Sequence, residues 1–91
     1  MADTEKPASA FQFPCDFVIK VFGHASDEFE LEVLTIIRKH VDDLRENALA
    51  SRLSKDGKYL ALSITVTARD KYQLDDIYRD LTANSHVLMA L

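Results

Sequence analysis

Tyr59-Leu60-Ala61-Leu62-Ser63-Ile64-Thr65-Val66-Thr67-Ala68 alternates without a break: Leu60, Leu62, Ile64 and Val66 fall on one face of an extended chain, and Tyr59, Ala61, Ser63, Thr65 and Thr67 on the other. Successive side chains of a strand point to opposite faces, so this pattern predicts an antiparallel strand with a core on one side and open surface on the other. Just before it, Ser54-Lys55-Asp56-Gly57-Lys58 reads as a hairpin turn, because Asp-Gly accepts the positive φ angles that match the twist of paired strands. Further back, Asn47 to Leu53 alternates more weakly, Ala48, Ala50 and Arg52 against Leu49, Ser51 and Leu53, as an edge strand does.

Working outward from that hairpin, Asp70 with Gln73 forms a capping box, and Leu74, Ile77, Tyr78 and Leu81 follow at the spacing of one helical stripe. Asn84 ends this helix. A last strand then alternates Val87, Met89 and Leu91 with His86, Leu88 and Ala90. On the other side of the hairpin, Phe17 to Phe22 places Phe17, Ile19 and Val21 on one face and Val18, Lys20 and Phe22 on the other. Gly23 suits a turn after that strand, and Asp27 with Glu30 reads as a second capping box. Phe29, Val33, Ile36, Ile37, Val41 and Leu44 make the buried stripe of the helix it starts, with Leu31 on the outer face. The order β-α-β-β-α-β predicts an α+β, ferredoxin-like sandwich: an antiparallel four-stranded sheet with two helices on one face and strands one and three in the middle. The other sheet face is left uncovered.

A chain of 91 residues holds one core, and 47% hydrophobic residues are enough to build it without a metal or disulfide staple. Residues 1–12 lack apolar periodicity and are expected to form a flexible tail, with the ferredoxin-like domain spanning 13–91. The start carries Asp3, Glu5 and Lys6 and no apolar core, so it does not read as a signal peptide, and no apolar run is long enough for a membrane span. With a single cysteine, Cys15, this composition points to a cytoplasmic protein. Eleven basic against fifteen acidic residues give a net charge of −4, which argues against nucleic acid and anionic membranes as partners. Acids concentrate in Ser26 to Glu46, whereas Lys20, Arg52, Lys55 and Lys58 of the strands and hairpin are offset only by Asp56, so a mildly basic sheet opposes an acidic helical layer.

No catalytic or cofactor motif emerges. There is no Gly-rich phosphate loop, and His24, His40 and His86 are too widely spaced for a local metal motif, so neither metal nor cofactor is expected and the chain is read as no enzyme. His40 near a helix C-terminus has a structural role, Cys15 lacks a base beside it, and the carboxylates of the first helix spread around a solvated face. Two binding sites stand out. One is the turn Gly23-His24-Ala25-Ser26, whose backbone N–H groups at a helix N-terminus suit a carboxylate or phosphate, although an Asp27 cap would compete for them. The other is the uncovered face with Val18, Lys20, Phe22, Tyr59, Ser63, Thr65 and Thr67, centred on Lys20, Phe22 and Tyr59 and suited to a protein partner, a small effector or a second copy of the chain. The alternative use of such a face is RNA binding, where aromatics of strands one and three stack bases. Here the third strand offers only Tyr59.

Several spaced motifs together carry a family resemblance: Phe13-Pro14 with Phe17, Lys20 and Gly23; Gly57-Lys58-Tyr59 with Ser63-Ile64-Thr65-Val66; Gln73-Leu74, Ile77-Tyr78 and Leu81; and the closing Val87, Met89 and Leu91. From Phe13 to Leu91 the chain resembles the YbeD-like family of small uncharacterised bacterial proteins. That family is similar in fold to small regulatory ACT-like domains, which bind amino acids or other small effectors near the turn after the first strand and often pair their sheets. The resemblance implies a regulatory or binding role and transfers no catalytic residue.

Overall fold

In the computed structural model, which describes residues 12–91, the elements run β1 (Cys15–His24), α1 (Asp27–His40), β2 (Leu49–Leu53), β3 (Tyr59–Ala68), α2 (Lys71–Ala83) and β4 (Val87–Ala90). All four strands form one antiparallel sheet in the order β2-β3-β1-β4, so the two most apolar internal strands are central, as the sequence predicts. The tail expectation for residues 1–12 lies, apart from Gln12, outside the described residues. The register of β1 against β3 pairs Ile19 with Ile64 and Val21 with Leu62 on the helix side, and Lys20 with Ser63 and Phe22 with Ala61 on the other.

The core lies between sheet and helices. Ile19, Val21, Leu62, Ile64 and Val66 from the sheet meet Phe29, Val33 and Ile37 of α1 and Ile77 and Leu81 of α2, all fully or almost fully buried. Burial of such side chains contributes roughly 1.5–3 kcal/mol each, which is why alternation and helical spacing together decide this fold. The stripe of α1 outlasts its helix: Val41 is the C-cap in extended conformation, yet it stays buried, and Leu44 in the following loop still packs on the core.

Four local readings need correction. The cap of α1 is Ser26, one residue before Asp27: its hydroxyl accepts the Phe29 N–H at 3.0 Å, and Asp27 becomes a first-turn acid with Glu28 and Glu30, favourable at the positive end of the helix dipole. Gly23 lies inside β1 rather than in a turn, and a Cβ there would sit 2.5 Å from both the His86 carbonyl oxygen and Cε1 of Phe29. In the hairpin only Gly57 takes positive φ (+74°). Asp56 instead uses its carboxylate, accepting from the Ser54 hydroxyl and the Lys58 N–H, which together hold its carboxyl below the usual range. Finally, β4 does not alternate strictly. Between Phe22 and Gly23 the register shifts, so that Met89 pairs with Phe22 but Val87 with Gly23, leaving Leu88 as the extra residue of a bulge.

Candidate functional site

The bulge in β4 decides which side chains reach the open face. Val87 and Ala90 turn to the core, while Met89 stands opposite Phe22 and shares its outward direction. Leu91 exchanges two backbone hydrogen bonds with Lys20, at 2.7 and 3.0 Å, and therefore lies directly beside it. The open face thus carries Met89 (51% exposed) and Leu91 (61%) at one edge, then Val18 (47%), Lys20 and Phe22 on β1, Tyr59 (45%), Ala61, Ser63, Thr65 and Thr67 on β3, and Ala50 and Arg52 on β2. Sequence reasoning found Val18, Lys20 and Phe22 on β1 and Tyr59, Ser63, Thr65 and Thr67 on β3, and left out Ala61, Ala50, Arg52, Met89 and Leu91. Arg52 was recoverable, since the hairpin register places it opposite Ala61.

Small side chains at the centre make this face concave. Ala61, Ser63 and Ala50 form the floor of a groove of about 370 Å³, with Lys20 and Phe22 on one wall and Arg52 on the other. A second hollow continues from it past Phe22, Arg52 and Ala61 to Leu53 and Tyr59. Among the described residues Lys20 and Arg52 form no ion pair and no acidic side chain lines either hollow. The one acid on β1, Asp16, lies at the far end of the face, where it accepts from Thr67 at 3.1 Å and sits 3.7 Å from Arg45.

The structure brings the five sequence-derived site residues to one end of β1 and splits them by face. Lys20, Phe22 and Tyr59 share the open side. His24 pairs with Tyr59 across the strands, their ring centroids 5.2 Å apart. Gly23 faces the core and is committed to close packing against α1 and the chain before β4. In the turn that follows, the Ala25 N–H donates to the Lys58 carbonyl at 2.8 Å and the Phe29 N–H to Ser26, so two of the amides a bound anion would need are already used. His40 is placed structurally: its Nε2 donates to Asp80 Oδ2 at 2.6 Å, tying α1 to α2. Among the described residues no group of three or more His, Cys, Asp or Glu side chains is placed to hold a metal ion, and no helix is long and apolar enough to cross a membrane.

A split βαβ plait with both helices on one side of a four-stranded antiparallel sheet is a ferredoxin-like sandwich. The solved structures agree: the fold is similar to the ACT domain from GTP pyrophosphokinase of Chlorobium tepidum, with a TM-score of 0.62 at 17% identity over 84% of each chain. It is also similar to protein HP0495 from H. pylori, with a TM-score of 0.75 at 13% identity over 98% of each chain. At such identities the likeness concerns fold alone. The chain belongs to the family described as "Protein of unknown function (DUF493)", whose model matches residues 8–91. Among its relatives are UPF0250 proteins of Chromobacterium violaceum, 39% identical over 97% of this chain and 99% of that protein, and of Hahella chejuensis, 35% identical over the whole of both. This is the group that the YbeD-like resemblance indicates.

Proposed function

We propose that this chain is a small non-catalytic regulatory or adaptor domain of the cytoplasm, and that it works by covering its open sheet face with a protein partner or a small effector. One observation carries the reading: Val18, Phe22, Tyr59, Met89 and Leu91 present apolar surface together, on the sheet face that neither helix covers, around Lys20, which forms no ion pair among the described residues. A monomer gains nothing from that arrangement, whereas a partner recovers roughly 25 cal/mol for each Å² of apolar surface it removes from water. Fold kinship with ACT-like domains supports a regulatory role. Two committed amides in the Ala25–Phe29 turn favour the sheet face over the turn as the binding place.

The double change Lys20→Glu with Phe22→Ser tests this. Both side chains leave the sheet away from the helices, so cooperative unfolding is expected to persist while self-association or capture of the native partner is lost. Sedimentation and pull-down on the variant read the outcome. Unchanged association with an intact fold moves the site off this face, and the turn after β1 becomes the next candidate.

A further inference from the structure

The groove itself specifies more than a generic apolar contact. Its floor of Ala61, Ser63 and Ala50 leaves room for one bulky side chain between the walls. Lys20 and Arg52 stand two strands and two pairing rows apart, about 12 Å between their Cα atoms from standard strand spacing and rise. Both are cations without an ion pair among the described residues, beside hollows that no acid lines.

Resting on the open-face reading, we infer that the occupant is an acidic segment of another protein, which seats one bulky apolar side chain on Ala61 and sets carboxylates against Lys20 and Arg52. Pairing of two copies groove to groove is disfavoured, because a two-fold axis through the groove brings Lys20 and Arg52 of one copy onto the same pair of cations in the other. A small effector fills the groove but leaves the rest of the apolar band in water. That band runs from Met89 on β4 and the adjoining Leu91 across Val18 and Phe22 on β1 to Tyr59 on β3, about 10 Å across at the usual strand spacing. An extended or helical protein segment covers both, and the two cations then act chiefly on encounter and on partner choice.

Selection of a phage-displayed random peptide library against the full-length protein, followed by ¹⁵N NMR titration of the selected peptides, tests the inference. Enriched peptides are expected to be net acidic with a Leu, Phe or Met anchor, and to shift the resonances of Lys20, Phe22, Arg52, Ala61 and Ser63. The exposed double reversal Lys20→Glu, Arg52→Glu is expected to weaken those peptides by about tenfold or more, since it turns two attractions into repulsions, and to enrich basic peptides in its own selection. The inference is overturned if selection yields no binders, if both proteins select the same charge, or if the shifts map away from the face. It is equally overturned if N-acetyl-leucine or oligouridylate binds the wild type as tightly as the selected peptides. If the charge preference fails while Lys20→Glu with Phe22→Ser still loses its native partner, the open-face reading survives and the acidic-segment inference alone falls. If that variant keeps its partner, both fall.

Discussion

Gly23 shows how a single position is fixed by parts of the chain that lie far from it in sequence. Its neighbours suggest a turn, and the structure puts it inside β1 with ordinary backbone torsions, where its missing side chain lets the Phe29 ring and the His86 carbonyl close on the strand. A Cβ at 2.5 Å from a backbone oxygen and a buried ring forces the sheet or α1 to shift, so Gly23→Ala is expected to destabilise the fold by about 1–3 kcal/mol. Urea denaturation measures this, and an unchanged midpoint contradicts the packing assigned to Gly23. That requirement was illegible in the sequence because it depends on long-range approach. The Ser26 cap was nearly legible. Ser26 and Asp27 both cap well, and only the extended backbone of Ser26 shows which of them does.

Between the helices, a small polar network replaces what apolar packing does elsewhere. Asp80 of α2 accepts from His40 of α1 and lies 3.5 Å from Lys39. Gln73, almost fully buried, accepts the Arg69 N–H at 2.6 Å and donates to the His40 carbonyl at 2.7 Å, satisfying an end of each helix. The hydrogen bond from His40, with help from Lys39, holds the Asp80 carboxyl below the usual aspartate range. Because its folded value lies below its unfolded one, the stability it adds is complete above the ordinary aspartate pKa and is lost as pH falls through the lowered value. Asp80→Asn is therefore expected to lower the urea midpoint near about pH 6 and to differ less from wild type near about pH 3. An equal deficit at both values contradicts the assignment. The contacts that join the two helices were not readable in advance, since forty residues separate His40 from Asp80 and 33 separate His40 from Gln73. The Asp70–Gln73 pairing, local in sequence, was read correctly as a cap, with Asp70 accepting the Gln73 N–H at 2.8 Å. In β4 the run Val87-Leu88-Met89-Ala90-Leu91 is apolar throughout, so parity carries no information there and the bulge that turns Met89 outward stayed hidden.

For the molecule as a whole, topology was the most legible property, because period-two and period-3.6 patterns in β1, β3, α1 and α2 each identify an apolar face, and only one layered arrangement buries all four. The same logic identifies the surface left over. Both helices lie on one side, and the opposite side collects apolar residues from β4, β1 and β3 around Lys20 and Arg52, whereas the solvent side of α1 begins with Asp27, Glu28 and Glu30. On the open-face proposal, partners meet the sheet and not the helices. A photoreactive phenylalanine analogue placed at Met89 on the sheet, or at Leu31 on the outer face of α1, compares two similarly exposed positions, 51% and 64%, in the cells that make the protein. Irradiation is expected to cross-link the Met89 variant to a defined partner and to leave the Leu31 variant without one; cross-linking from Leu31 with none from Met89 would contradict the account.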